Sequence, residues 1–426
     1  MQALPGFRDF LPADCAARNY IFARWREVAR RYGFVEWDGP VLEPTELYRR
    51  KSGDEIVGQL FNFTDKGERE VALRPELTPT LARIIAAHER EFKKPLKWFS
   101  IGSCFRYEKQ QRGRLREHIQ LNCDILGEPS IEADAELIAV SIDVLREFGF
   151  TVDDFVVRVN DRDIWVAFLD GHMVPREECS KFLNIIDKID RVGEEEIRRR
   201  IEVFEREFDV IIPWLAVKDM LETPVKGAKD VSNRLVILFE KLSARGMGDF
   251  IQLDCSLVRG LAYYTSTVFE LFDRRGKLRA VAGGGRYDNL IEQLSDGAAK
   301  LSAVGFAMGD VVLGELIRDR PAARQKMETA VRDESKIDIY VVIAKEERRP
   351  DAIAEIQKLR DRGYRVDYSL TPAKVGKQFQ TAEDLGATIA VLYGDEWPQV
   401  KVKTLATREE QLIRPEELLA YLTRSS

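Results

Sequence analysis

Histidine is scarce in this 426-residue chain: His88, His118 and His172 are the three present. They lie far apart and offer no cluster from which a metal site is built. Cysteine excludes as much. Cys15, Cys104, Cys123, Cys179 and Cys255 are odd in number and form no C-x-x-C pair, which argues against a disulfide framework and a structural zinc site and for reduced, mostly buried thiols. No apolar run approaches the roughly 20 residues that span a bilayer, and the opening MQALPGFRDFLP has neither the basic start nor the apolar middle of a secretion signal. The expectation is a cytoplasmic protein with no membrane association. No G-x-x-x-x-G-K-[ST] phosphate loop occurs, and GGGRYD, Gly283 to Asp288, lacks the setting of a dinucleotide fingerprint. Nucleotide binding, if present, takes another route. What the chain does have is 45% hydrophobic and 32% charged residues, enough for two or three domains with their own cores at about 100 to 200 residues each. A formal net charge of -6 does not mark a nucleic-acid binder, although a local basic surface is compatible with an acidic total.

Periodicity organises the chain. Ile21, Trp25, Val28, Ala29 and Tyr32 recur at helical spacing with Gly33 as a stop, and FVEWDGPVLEP follows as a strand. Strand-like pieces at FNFTD, VALRPELT, KWFSIGSCFRYEK and HIQLNCDILG predict an antiparallel sheet. LVRGLAYYTSTVFE, Leu257 to Glu270, reads as a strand, a turn and a strand, yet it carries Arg259, Tyr263 and Tyr264 where packing alone would accept Val and Ile. The fold class is α+β. A sheet domain occupies residues 1–170 and 250–320, a charged helical insertion 171–249 and a linker 321–335. Strands alternating with helices over 336–426 then predict a separate α/β domain with a largely parallel sheet.

Polar residues concentrate on strand positions of the sheet domain: Arg74, Glu76 and Thr78 in LRPELT, Arg106 and Glu108 in FRYE, Gln120 and Asp124 in HIQLNCD, and Arg259, with Arg114 in the loop QQRGRLRE. Buried charges are expensive unless they are paired or serve a ligand. Singly, each is accounted for by a salt bridge or an edge position. Together they suit a ligand carrying phosphates and an amine, because arginine's fork of donors matches phosphate and carboxylate while Glu and Asp match an ammonium or an imidazole N–H.

By these motifs the chain resembles the histidyl-tRNA synthetases, a class II aminoacyl-tRNA synthetase family, over essentially its whole length. GFRDFLP is similar to the family's N-terminal segment, and the helix and strand ending at Pro40 resemble motif 1. FRYEKQQRGRLREHIQ resembles motif 2, and VGFAMGDVVL stands where motif 3 belongs. LRPELT, LVRGLAYYTSTVFE and GGGRYD resemble the signatures of histidine-specific members. The resemblance implies a class II antiparallel catalytic sheet flanked by helices, a helical insertion and a C-terminal α/β anticodon-binding domain. It implies a homodimer built on motif 1, with ATP accompanied by Mg2+, L-histidine and tRNA(His) as partners. The reaction implied is attachment of histidine to that tRNA through a histidyl-adenylate.

The same resemblance implies roles for single residues. Arg259 would stabilise charge between the substrate carboxylate and the α-phosphate. Arg106 would bind the α-phosphate, Glu108 the adenine amino group and Arg114 the outer phosphates. Glu76, Thr78 and Gln120 would hold the substrate's ammonium and carboxylate. Asp124 would accept from an imidazole N–H in a pocket bounded by Tyr264 and supported by Tyr263 and Tyr287. The sequence departs from the family pattern in places. Asp310, Val311 and Val312 stand across the region of motif 3 where the family places an arginine on the γ-phosphate, Ala262 replaces an aspartate, Ser266 and Leu77 replace glycines, and Asp124 is one methylene shorter than the usual glutamate. These departures define a variant subgroup with an atypical motif 3. The alternative is a non-catalytic paralogue acting as the histidine-sensing regulatory subunit of ATP phosphoribosyltransferase. Such subunits usually lack the C-terminal domain and the motif 2 arginines, both of which stand in this sequence.

Overall fold

The structure is a computed structural model and describes residues 2–52, 58–107, 113–171, 185, 195, 196, 199, 229–258, 263–276 and 278–425. The chain divides into two units, Met1–Met327 and Glu328–Ser426. A helix opens the first at Pro12–Arg31, with proline at a first-turn position that needs no N–H donor. Its buried stripe is Tyr20, Ile21, Trp25, Val28 and Ala29. Gly33, at φ +77°, supplies the left-handed residue past its end.

Eleven strands follow among the described residues of this unit: β1 (Val35–Glu36), β2 (Leu42–Pro44), β3 (Asn62–Thr64), β4 (Glu70–Leu73), β5 (Leu96–Phe105), β6 (Glu117–Leu126), β7 (Phe155–Asp161), β8 (Ile251–Leu253), β9 (Thr267–Asp273), β10 (Ala282–Arg286) and β11 (Ala303–Gly309). Eight form one sheet in the order β1-β5-β6-β11-β10-β9-β7-β8, and β2-β4-β3 form a small second sheet. The large sheet is antiparallel except at its two edges, where β1 runs parallel to β5 and β8 parallel to β7. Along β6 the side chains alternate as a half-buried strand should, with Ile119, Leu121, Cys123 and Ile125 on one face and His118, Gln120, Asn122 and Asp124 on the other. The helix Ile131–Glu147 lies against β6, β10 and β11, and the helices Pro12–Arg31 and Lys229–Ala244 pack on it in turn. Leu137, Ile138, Val140, Ile142, Val144 and Leu145 are fully buried there, each contributing roughly 1.5–3 kcal/mol.

Buried Arg286 ties that helix to β10. Its guanidinium pairs with Asp134, Nη1 donates to the carbonyl of Glu128 at 3.2 Å and Nη2 to that of Ser130 at 3.1 Å. A second tie lies at the N-terminus. The carbonyl of Gly6 accepts from the N–H groups of Arg116 and Glu117 at 3.1 Å each, and Phe7 stands edge-on to Phe61 at 5.7 Å. Arg8 Nη2 reaches Asp310 Oδ2 at 2.8 Å, while Asp310 Oδ1 accepts from the N–H of Ile119 at 2.8 Å. Residues 4–8 thus strap the start of β6 to the start of the helix Asp310–Asp319.

Three sequence readings need correction. LVRGLAYYTSTVFE is not a strand, a turn and a strand over its described residues: Thr267 to Glu270 begin β9, Leu257, Val258 and residues 263–266 belong to no strand, and 259–262 lie outside the described residues. The lead-in carbonyls are satisfied by side chains instead: Asn160 Nδ2 donates to Cys255 and Leu257 at 3.3 and 3.0 Å, and Trp165 Nε1 to Cys255 at 2.7 Å. FVEWDGPVLEP yields two short strands in different sheets, because Gly39 and Pro40 interrupt it. VALRPELT stops being a strand at Leu73, since Pro75 cannot donate to a ladder, and Thr78 begins the helix Thr78–His88. Most of the charged insertion, residues 171–249, lies outside the described residues, although its helix Lys229–Ala244 does not.

The second unit is a five-stranded sheet of β12 (Ile339–Ile343), β13 (Val366–Tyr368), β14 (Ile389–Tyr393), β15 (Val400–Thr404) and β16 (Glu410–Ile413), ordered β13-β12-β14-β15-β16. The first three strands are parallel and the last two antiparallel. All five residues of β12 are buried, as both faces of a parallel core strand must be. Ile339, Val341 and Ile343 pack with the helices Arg349–Asp361 and Pro415–Ser425. Tyr340 and Val342 pack with the helix Val375–Asp384 through Ala382 and Phe379.

Candidate active site

A cleft of about 850 Å3 opens over the large sheet on the Gln120 and Asn122 face of β6. Its floor is one cross-strand row, Asn122, Ala307, Gly283, Glu270 and Arg158, set by the pairings of β6, β11, β10, β9 and β7. Small residues keep this floor low. Three of the glycines here answer to the protein itself: a Cβ on Gly284 would lie 2.4 Å from the carbonyl of Gly305, one on Gly285 2.6 Å from that of Thr267, and one on Gly305 1.9 Å from Asp124 Oδ1.

Glu76, Thr78, Arg106, Arg114, Gln120, Tyr263, Tyr264 and Tyr287 all line this one cleft. Arg259 and Glu108 lie outside the described residues. Arg106 Nε donates to the carbonyl of Pro75 at 3.0 Å, which aims the guanidinium beside Glu76. Gln120 Oε1 accepts from Cys104 Sγ at 3.4 Å. Tyr263 and Tyr264 meet at a tilt of 43° with centroids 4.7 Å apart, and Tyr263 meets Tyr287 edge-on at 6.0 Å. The Tyr263 hydroxyl stands 3.5 Å from Glu76 Oε2.

Asp124 sits behind the cleft wall and is 1% exposed. Tyr287 donates to its Oδ1 at 2.6 Å, while Oδ2 has no partner among the described residues. Burial pushes this carboxyl up to about 7, with the Tyr287 hydrogen bond working in the opposite direction. A buried acceptor with an unfilled lone pair calls for a donor. An imidazole N–H has the right chemistry.

His118, one of the three histidines scattered through the sequence, stands in the cleft wall. Burial, then the charges of Arg106, Arg8 and Arg114, lower it to about 3, so its ring is neutral at physiological pH. Asn122, Arg158, Asp254, Phe272 and Arg279 also line the cleft and were not singled out from sequence. A period of two along HIQLNCD would have found Asn122; isolated arginines in strands and turns carry no such signal. Arg74, by contrast, points away from the cleft and serves the fold, with Nε on the carbonyl of Ser103 at 2.9 Å and Nη1 on that of Gly39 at 2.8 Å. Burial holds Cys104 up at about 12 and raises Cys123 as well, which makes both thiols packing groups rather than nucleophiles.

The atypical motif 3 now has a structural account. Asp310 is spent on the strap, and Val312 packs against the loop, where a Cβ on Gly113 would lie 3.3 Å from its Cγ2. Such a constellation, with arginines at one end, a tyrosine-walled carboxyl at the other and a low floor between, can hold an anionic nucleotide beside an amino acid with a polar ring. Comparison with known proteins agrees. A family model described as histidyl-tRNA synthetase matches residues 6–310, and one described as an anticodon binding domain matches 338–425. The histidine–tRNA ligase of Opitutus terrae is 44% identical over 436 residues, covering 99% of this chain and 98% of that protein. The chloroplastic/mitochondrial histidine–tRNA ligase of Arabidopsis thaliana is 39% identical over 425 residues, covering 97% and 85%. A crystal structure of histidyl-tRNA synthetase from a Nostoc species superposes with a TM-score of 0.78 at 22% identity, covering 100% of this chain and 99% of that one.

Proposed function

The chain belongs to the histidyl-tRNA synthetase family and charges tRNA(His) with histidine, and from this we propose how its own residues do so. Histidine lies with its ammonium and carboxylate on Glu76, Thr78 and Gln120, and with its ring between Tyr264 and Tyr287, where Asp124 takes the imidazole N–H. A pocket that hydrogen-bonds the ring rejects apolar isosteres strongly, because its polar groups would be left unpaired. ATP lies across the arginine end, with Arg106 on the α-phosphate, Arg114 on the outer phosphates and Glu108 at the adenine amino group. The histidine carboxylate attacks the α-phosphorus, a new P–O bond forms, and pyrophosphate departs with the electrons of the broken one. Arg106 and Arg259 offset the charge that gathers there. Fixed cations and alignment supply most of the acceleration in such reactions, and no covalent enzyme intermediate is needed. A ribose hydroxyl of the tRNA's terminal nucleotide then attacks the histidyl carbonyl and releases AMP.

ATP enters as its Mg2+ complex, with the phosphates supplying ligands. Among the described residues no group of three His, Cys, Asp or Glu is placed to hold a metal by itself. The working molecule is a cytoplasmic homodimer. β1 is an edge strand with Val35 63% exposed, and Val41 and Leu42 are exposed apolar residues nearby in sequence, which suits a self-complementary contact. The regulatory-subunit reading has less support, because Arg106 and Arg114 line the cleft and the anticodon-binding match extends to residue 425.

The observation that carries this mechanism is the single cleft joining Arg106 and Arg114 to Glu76, Gln120 and the three tyrosines. Amino-acid-dependent exchange of labelled pyrophosphate into ATP tests it. Histidine alone among the twenty amino acids should support exchange. Exchange with another amino acid, or none with histidine from folded protein, would overturn it.

A further inference from the structure

Asp310, Val311 and Val312 leave motif 3 without a cation for the outer phosphates, yet the cleft beside them is not short of one. Four described arginines line it: Arg106, Arg114, Arg158 and Arg279. The first two already have roles in the mechanism above. Arg158 is committed within the fold, with Nη1 3.2 Å from Asp254 Oδ2 and its guanidinium 4.6 Å above the ring of Phe272. Arg279 differs. It is exposed in the turn between β9 and β10 and has no hydrogen bond or ion pair among the described residues.

The register of the sheet shows where Arg279 stands. β10 pairs with β11 through Ala282 and Met308. Just beyond that pair β11 ends at Gly309 and the helix Asp310–Asp319 begins, so Arg279, three residues before Ala282, and Val311, three after Met308, leave the ladder at the same end of the sheet. Ala280, Val281, Val311 and Val312 all line the same end of the cleft. A guanidinium without a counter-ion, beside apolar Val281, Val311 and Val312, is a site for an anion that brings its own charge and several acceptor oxygens.

We propose that Arg279 binds the β- or γ-phosphate of ATP, supplying from the neighbouring strand the cation that motif 3 lacks in this chain. The proposal rests on the reading of the cleft as an ATP site. It predicts a contact felt by the outer phosphates and not by the nucleoside.

The test is calorimetric titration of the full chain with α,β-methylene ATP, AMP and histidine, for the wild type, Arg279→Ala and Arg279→Lys. For Arg279→Ala the ATP analogue should lose tenfold or more in affinity while AMP and histidine change less than twofold. Arg279→Lys should fall between, since a point charge keeps the attraction and loses the fork. In pyrophosphate exchange, the KM for ATP should rise with the KM for histidine unchanged. Equal losses for the ATP analogue and AMP, or no loss for either, would overturn the assignment. A wild-type chain that binds neither nucleotide would instead bring down the reading of the cleft itself, and the assignment with it.

Discussion

Asp124 is where a single residue links stability to specificity. An unfolded aspartate titrates near 4, whereas burial holds this one up at about 7 in the fold. Between those values the folded chain keeps a proton that the unfolded chain has released, so stability falls as pH rises through that window and levels off above it. Asp124→Asn removes the titration. The stability of the variant minus that of the wild type, from urea melts at a series of pH values, should grow by on the order of 3 kcal/mol from pH 4 to pH 7 and then stay flat. A difference independent of pH would mean that the carboxyl is ionised in the fold. In the proposed binding mode histidine supplies a donor to the unpartnered Oδ2, so the same variant should lose selectivity for the imidazole ring.

Elements were legible from the sequence to the degree that one pattern determined them. The helix Pro12–Arg31 follows from its apolar spacing and Gly33, and β12, β13 and β14 follow from strands alternating with helices. β15 and β16 escaped because VKVKT carries charge on every other position and EQLI is four residues long with a charge at its start, which reads as a solvated face until a neighbouring strand is known. The hairpin expected in LVRGLAYYTSTVFE failed for a different reason: Leu257 and Val258 have apolar strand-like side chains but no ladder to join, a long-range matter that local propensity does not encode. Arg106, Gln120 and the three tyrosines were legible as a group, since many polar residues on apolar strands need a common cause. Arg279 was not, because its meaning comes from the register of β10 against β11. Arg286 and Asp134 show what such long-range ties are worth. Asp134→Ala would remove the closer of the two carboxylates on a buried guanidinium, leaving Asp288 at 3.4 Å, at a cost of up to about 3–5 kcal/mol. Urea denaturation reads the loss directly, and a change below about 1 kcal/mol would show that Asp288 and the carbonyls of Glu128 and Ser130 satisfy Arg286 without Asp134.

For the whole molecule, the proposed homodimer follows from an uncovered sheet edge and the apolar side chains close to it in sequence. Sedimentation velocity should give twice the 48.8 kDa mass of the chain, and Val35→Asp with Leu42→Asp should shift it toward one chain. A wild type that sediments as a monomer across micromolar concentrations would refute the dimer. The N-terminal strap has a bearing on how the enzyme is handled. Gly6 is bonded to Arg116 and Glu117 and Arg8 to Asp310, so the first residues of the chain are tied to the segment that carries Arg114. On the proposed role of Arg114 a purification tag at that end would sit beside the phosphate site, and protein tagged after Ser426 is the material on which nucleotide affinities should be measured.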